Sequence, residues 1–158
     1  MEIVFLAGKQ NSGKTNTFSK LREQLKCNGY AESLNETIGD FCKSLSYKHQ
    51  EKVWEDIKND FVSQFNVNGK KILLFSMGDY VKEPRKIIKL CQTKGNKYES
   101  DVLVLAANTT EHPHYLVDYK IPHTLKNLEI KKVKESDETK FDSANQTSAN
   151  ILFNTLTK

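Results

Sequence analysis

EIVFLAGKQNSGKT, residues 2–15, is the stretch of sequence that decides the fold of this chain. Residues 2–7 form a short, largely apolar run rich in β-forming side chains, and the run stops at Gly8 as a buried parallel strand does. From about residue 13 to residue 27, apolar side chains recur at helical spacing, which predicts an amphipathic helix. The chain is therefore expected to begin with a strand, a glycine-rich loop and a helix.

Two later strands are predicted to form a hairpin. FVSQFNV (61–67) and KKILLFS (70–76) flank Asn68-Gly69, a pair that tolerates positive φ at both central positions of a type I′ turn. The first arm alternates polar and apolar residues and is expected at an edge of the sheet. The second arm is uniformly apolar over ILLF and is expected in the centre of the sheet.

The other predicted elements alternate between strand and helix. They are a helical pattern over Leu34, Ile38, Phe41 and Leu45 with Ser33 as its cap, a helix from about Glu83 to Thr93, a buried strand at 101–107, a peripheral strand at 128–134, and a helix from about Ser143 to Leu156. This order predicts a single α/β domain spanning residues 1–158. Its expected architecture is a three-layer α/β/α sandwich whose mostly parallel sheet has about five strands and an antiparallel edge hairpin.

The composition is that of an ordinary globular domain. Of 158 residues, 37% are hydrophobic and 28% charged, which is typical of neither a membrane protein nor a disordered one. The apolar start carries Glu2 in place of a basic residue, so a signal peptide is not expected. Cys27, Cys42 and Cys91 contain no C-x-x-C pair and are expected to be free thiols in a cytoplasmic protein.

The loop between the first strand and the first helix matches the pattern G-x-x-x-x-G-K-S/T at every fixed position. Gly8 and Gly13 allow the backbone to turn so that successive N–H groups point at one anion, and the helix dipole adds to that field. Lys14 is expected to reach the β- and γ-phosphates of a nucleotide, and Thr15 to place its hydroxyl on Mg²⁺. The expected nucleotide-binding residues are Gly8, Lys9, Gln10, Asn11, Ser12, Gly13, Lys14 and Thr15.

With this motif between a strand and a helix, the chain resembles the P-loop NTPase superfamily and looks like a small bacterial or phage ATP-binding protein of that superfamily. The resemblance is specific over residues 2–27 and rests on the alternation of strands and helices elsewhere. It implies a parallel sheet between helices, and binding of ATP or GTP together with Mg²⁺.

The resemblance also implies an acidic residue at the end of another central strand, and Asp79 is the best match. Asp79 is then expected to bind the metal together with Thr15 and to act in catalysis together with Lys14. It lies beyond Ser76, Met77 and Gly78 rather than directly after the apolar run, and a turn aspartate that caps the following helix is the alternative. No Glu follows Asp79, so the base that polarises water in ATPases is missing there.

Six further polar residues are weaker candidates: Asp40, Asp60, Asn108, Thr109, His112 and His114. The two aspartates flank a segment of ambiguous structure, where either could approach the γ-phosphate or a substrate, but such residues are more typical of solvated surface groups. The next two follow the 101–107 strand, where polar residues sense the γ-phosphate in similar ATPases, although a simple loop start is the plainer interpretation. The histidines could exchange a proton near neutral pH, but loop histidines are more typical of the surface.

These observations favour an ATP-binding, Mg²⁺-dependent NTPase with low intrinsic activity that acts through an unidentified protein partner. The alternative is a kinase that transfers the γ-phosphate to a nucleotide or small-molecule acceptor. Only Arg22 and Arg85 are available for a phosphate-screening lid, and Arg22 is expected to point to solvent. A GTPase ranks lower because Asn108 lacks the following Lys and Asp. Nucleic-acid binding is unsupported, since 22 of the 24 basic residues are lysine and no basic cluster alternates with aromatics.

Overall fold

One mixed sheet, with helices packed on both of its faces, organises the described part of the chain. The computed structural model describes residues 1–9, 12–44, 59–77, 84–109, 125–133 and 135–158. In chain order the elements are β1 (Glu2–Gly8), α1 (Lys14–Cys27), β2 (Glu32–Thr37), α2 (Ile38–Ser44), β3 (Phe61–Val67), β4 (Lys70–Phe75), α3 (Pro84–Gln92), β5 (Val102–Asn108), β6 (Lys126–Lys131), a 3-10 turn (Glu138–Lys140) and α4 (Phe141–Leu156).

The six strands found in these ranges lie in the order β2-β3-β4-β5-β1-β6. Strands β4, β5, β1 and β6 pair in parallel, while β3 is antiparallel to both of its neighbours. The expected α/β class and mostly parallel sheet are thus confirmed. Because parallel strands end at the same edge, the residues that follow β1, β4, β5 and β6 share one side of the molecule.

The alternation of side chains along the strands divides the core into two layers. On β1, Ile3 and Phe5 pack beneath α2 and α3, while Val4 and Leu6 pack beneath α1 and α4. The residues that the two pairs of helices contribute are Ile38, Phe41, Ile87, Ile88 and Cys91 on one face, and Phe18, Leu21, Leu25, Ala149, Leu152 and Leu156 on the other. Both faces of the central strands are therefore buried, which explains their unbroken apolar runs.

The predicted hairpin is confirmed at its turn and corrected in its position. Asn68 and Gly69 have φ angles of 52° and 82°, the positive values that a type I′ turn requires. The first arm, β3, is not an edge strand, because β2 pairs along its other side. Every residue of β3 except Asn66 is buried, so the polar Ser63 and Gln64 lie in the interior rather than at a solvated edge.

The predicted helical pattern that begins near Leu34 is wrong in its first half. Glu32–Thr37 forms β2, in which half-buried and exposed residues alternate with the period of a strand, and the helix begins only at Ile38. Pairing with β3 overrides the helical spacing of a segment that carries only one large apolar side chain. This additional strand is the reason that the sheet has six strands in place of about five.

The remaining described elements agree with the sequence. The α3 helix ends before Gly95, whose φ is 77°, and β6 forms the other edge of the sheet. None of the helices in the described ranges combines the length and the apolar composition that crossing a membrane requires.

Candidate functional site

The described residues of the glycine loop, 8–9 and 12–15, lie at the carboxyl edge of the sheet. β1 ends at Gly8, which is in register with Asn108 at the end of β5, and the Thr109 N–H donates to the Gly8 carbonyl at 3.0 Å. Gly13 adopts the left-handed conformation with φ 82° and ψ 25°, and α1 begins at the next residue. The chain thus passes from strand to helix as the sequence predicts, and the first turn of α1 follows directly on the loop.

Packing as well as backbone conformation requires glycine at the two fixed positions. A Cβ atom on Gly8 would lie 2.7 Å from Ser12 Oγ and 2.8 Å from Lys132 Cβ. A Cβ atom on Gly13 would overlap the Asn145 carboxamide, and its positive φ is itself costly for any other residue. The loop is therefore closely packed between the end of β6 and the start of α4.

Lys14 is buried although it carries a charge. Lys14 as a whole is 6% exposed. Its Nζ donates to the carbonyl oxygens of Lys9 at 2.8 Å and Gly8 at 3.3 Å. The ammonium group is consequently folded back over the loop instead of extending into solvent. This arrangement places a positive charge beside the first turn of α1, and both features attract an anion.

Thr15 is hydrogen-bonded to an aspartate that the sequence pattern assigns to the surface. The Thr15 hydroxyl donates to Asp60 Oδ1 at 2.8 Å, and the Ser76 hydroxyl donates to the same oxygen at 2.9 Å. Ser76 is fixed in turn because its Oγ accepts from the Phe61 N–H at 2.9 Å. The expectation of a solvated Asp60 is therefore wrong.

The topology explains how Asp60 reaches the loop. It directly precedes β3, and since β3 is antiparallel to β4, the start of β3 lies at the sheet edge where β4 ends. The sequence alone leaves Asp60 beside a segment of ambiguous structure, because the edge at which it lies depends on the direction of β3. The available signal was the Asn68-Gly69 hairpin, which fixes the direction of β3 relative to β4.

Several predicted site residues lie outside the described residues. They are Gln10 and Asn11 of the loop, Asp79, and the histidines His112 and His114. Their proposed roles remain predictions. Asp40, in contrast, is exposed on α2, where its backbone N–H and carboxylate hydrogen-bond to Thr37, as expected for a surface group.

The two arginines differ in environment. Arg22 donates to both carboxylate oxygens of Glu32, at 2.6 and 3.1 Å, and its guanidinium lies 5.2 Å from the centroid of the Phe61 ring. The expectation that Arg22 points to solvent is therefore wrong. Arg85 is exposed on α3.

A cavity of about 650 Å³ opens beside the glycine loop. The residues that line it include Gly8, Ser12, Asn16, Lys132, Phe141 and Asn145. Phe141 is 45% exposed, so an aromatic face is available to a ligand at this opening. The volume is within the range of about 300–1,000 Å³ that is common for small-molecule sites.

The cavity has two notable polar groups: Ser12, a predicted residue of the loop, and Lys132, which sequence reasoning missed. Ser12 Oγ is buried and has no hydrogen-bond partner in the described structure, which is unusual for a native hydroxyl and typical of a site that receives a polar ligand. Lys132 is 5% exposed; burial lowers the pKa of its amine, and the positive charge of Lys14 lowers that pKa further. The alternating sequence around Lys132 is that of a strand with one solvated face, so it gave no signal of burial.

In the described ranges, no group of three His, Cys, Asp or Glu side chains is arranged to hold a metal ion. Such a group is not needed for Mg²⁺ in a nucleotide site, because the ion keeps several waters and takes most other ligands from phosphates. The hydroxyl of Thr15 and the carboxylate of Asp60 are oxygen donors of the kind that Mg²⁺ prefers. Comparison of the chain with protein-family models, with curated proteins and with solved structures finds no match.

Proposed function

We propose that this chain binds a nucleoside triphosphate, ATP with Mg²⁺, in the glycine loop, and that it is a P-loop NTPase with low intrinsic activity. The observation that carries the proposal is the buried ammonium of Lys14, held over the loop by the carbonyls of Gly8 and Lys9 at the start of α1. An ammonium group held beside the first turn of a helix attracts an anion. A polyphosphate bound across the loop would lie within its reach.

The pair formed by Thr15 and Asp60 supports a metal site at the same edge of the sheet. Thr15 would contribute its hydroxyl and Asp60 its carboxylate, while Asp79 stays a second candidate ligand. When bound, Mg²⁺ would neutralise phosphate charge and polarise the phosphoryl group. The residues of the chain would act by position: the loop amides and Lys14 hold the phosphate oxygens, and Ser76 keeps Asp60 oriented through a hydrogen bond.

The cavity beside the loop supports a nucleotide in preference to free phosphate. It adjoins Gly8, Ser12 and Gly13 and is large enough for a nucleoside, and Phe141 and Asn145 offer one stacking surface and one carboxamide. An exposed aromatic ring and an amide can stack on a base and hydrogen-bond to its edge.

The environment of Arg22 disfavours the kinase alternative. Phosphoryl transfer to an acceptor normally requires several cations that screen the phosphates, and arginine is the usual choice. Arg22 is engaged by Glu32, and Arg85 is then the only other arginine in the sequence. A slow NTPase fits this deficit better than a kinase does.

Isothermal titration calorimetry with MgATP tests the proposal. Replacing Lys14 with Ala should weaken binding by about a hundredfold or more, because charge-assisted hydrogen bonds to two phosphates are lost. Lys20→Ala, on the same helix but partly exposed and paired with Asp142, is the matched control and should bind as the wild type does. Unchanged affinity of Lys14→Ala would refute the loop as the binding site.

Analysis of the reaction products distinguishes hydrolysis of ATP from transfer of its γ-phosphate to an acceptor. Incubation with ATP and a panel of nucleoside monophosphates and small alcohols should give free phosphate and no phosphorylated acceptor. Transfer to any acceptor faster than release of free phosphate would favour the kinase.

A further inference from the structure

Lys132 lies directly against the glycine loop, although it comes from the opposite end of the sequence. It follows β6, and its backbone N–H donates to the Ala7 carbonyl at 2.7 Å, which continues the pairing of β6 with β1. Its Cβ is so close to Gly8 that no side chain fits between them. The lysine also lines the cavity to which Gly8, Ser12 and Gly13 belong.

The charge of Lys132 has no acidic partner in the described structure. Its Nζ donates to the Val133 carbonyl at 3.2 Å, and no carboxylate of the described residues forms an ion pair with it. Burial and the like charge of Lys14 both act against its protonated form. The influence of Lys14 on this pKa indicates that the two ammonium groups are close enough to interact electrostatically.

We propose that Lys132 is a second cation of the polyphosphate site, which contacts the phosphates from the β6 side while Lys14 contacts them from α1. The inference rests on the proposed function and names the ligand class more closely: an anion with at least two linked phosphates, large enough to meet both lysines. In a chain that has only two arginines, Lys132 supplies charge that arginine supplies elsewhere. An anion that meets both ammonium groups forms an attractive interaction with each of them.

This role predicts opposite effects of one substitution on stability and on binding. Lys132→Met keeps the apolar stem and removes the buried charge. The protein without ligand should then melt at the same temperature or higher, because an uncompensated charge has been removed. A lysine that serves only the fold would instead give a lower melting temperature when replaced.

Thermal melts and calorimetry of the full chain test the inference, with ATP and inorganic tripolyphosphate as probes. Lys132→Met should bind both probes about tenfold or more weakly, as expected for the loss of a charge-assisted hydrogen bond. The matched control is Lys126→Met, at the other end of β6, where the side chain is 77% exposed and pairs with Glu2. It should bind both probes like the wild type.

The outcomes separate the two proposals. If Lys14→Ala loses ATP binding but Lys132→Met binds both probes as tightly as the wild type, the inference on Lys132 is overturned and the proposed function stands. If neither substitution affects binding, the proposed function fails as well. A lower melting temperature of ligand-free Lys132→Met would also overturn the inference, because the lysine would then stabilise the fold itself.

Discussion

At Thr15, a single hydroxyl joins two parts of the chain that are 45 residues apart. Asp60 Oδ1 accepts from Thr15 and from Ser76, so one carboxylate oxygen connects the start of α1 with the start of β3 and the end of β4. A hydrogen-bonded carboxylate of this kind is pre-positioned for a cation beside the loop. Among the described residues, Asp60 is therefore the acid best placed to bind Mg²⁺ together with Thr15, and Asp79 remains a predicted ligand.

Replacing Asp60 with Asn tests this assignment. The amide oxygen still accepts hydrogen bonds from Thr15 and Ser76, so the fold should be retained, but the negative charge that attracts Mg²⁺ is lost. We expect ATP affinity in the presence of Mg²⁺ to fall about tenfold, while affinity in EDTA changes little. Asp40→Asn, at an exposed carboxylate on α2, should change neither value.

The same Mg²⁺ titration on Asp79→Asn distinguishes its two predicted roles. A fall in Mg²⁺-dependent affinity would identify a ligand, and a fall in thermal stability alone would identify a helix cap. If Asp60→Asn keeps its full Mg²⁺ dependence, the assignment of Asp60 is wrong.

Comparing Gly13 with Gly95 separates the cost of backbone strain from the cost of placing a Cβ atom in the packed loop. Both have positive φ, 82° and 77°, so alanine at either position should cost about 1–2 kcal/mol of stability through backbone strain. Only at Gly13 does an added Cβ meet another group, the Asn145 side chain, whereas the space around Gly95 is open. Gly13→Ala should therefore destabilise the protein more in urea denaturation and should also abolish ATP binding. Equal stability losses with unchanged binding would contradict the packed loop.

At the scale of elements, two ion pairs join α1 to β2: the Glu32 carboxylate lies 2.6 Å from Arg22 and 3.4 Å from Lys26. Burial acts to raise the pKa of Glu32, but hydrogen bonds from Arg22 and Ser63, with the charges of Arg22 and Lys26, outweigh it and leave the pKa below its ordinary value. Arg22 and Lys26 thus stabilise the ionised form of Glu32, the residue through which β2 is joined to α1.

Arg22→Ala should lower the free energy of unfolding by about 2 kcal/mol at neutral pH, because it leaves the 15%-exposed carboxylate of Glu32 without its main partner. Lys20→Ala on the same helix removes a pair whose carboxylate is 86% exposed and should cost about 0.5 kcal/mol or less. Urea denaturation of both variants measures the difference.

The stability that Arg22 contributes through Glu32 depends on pH, and the direction of this dependence follows from the lowered pKa of Glu32. A carboxylate whose pKa is lowered by folding contributes stability above its unfolded pKa, and this contribution is lost as the pH falls through the folded pKa. The difference in the free energy of unfolding between the wild type and Arg22→Ala should therefore become smaller as the pH falls below the ordinary pKa of Glu. A gap that is constant down to full protonation would show that Arg22 acts by packing on Phe61 instead.

At the scale of the whole molecule, the sequence predicts those features that depend on local pattern. The apolar runs of β1, β4 and β5, the Asn68-Gly69 turn and the strand–loop–helix around Gly8 and Gly13 all follow from periodicity and turn chemistry. Each is determined by residues close together in the chain.

The features that were missed depend on contacts between distant residues. The polar strand β2 forms because β3 offers it an edge, Asp60 meets Thr15 because β3 is antiparallel, and Lys132 is buried because β6 ends against Gly8. None of these contacts leaves a periodic mark in the sequence, because each is set by the order and direction of strands.

The central claim is that the amides of the glycine loop and its lysine hold a polyphosphate, and a titration of the ¹⁵N-labelled protein with MgATP followed by NMR tests it most directly. We predict that the amide resonances of Gly13, Lys14 and Thr15 move downfield and saturate with ATP, because these N–H groups donate to phosphate oxygens, and that adenosine leaves them in place. Loop amides that stay unchanged at saturating ATP, or that respond equally to adenosine, would contradict the account.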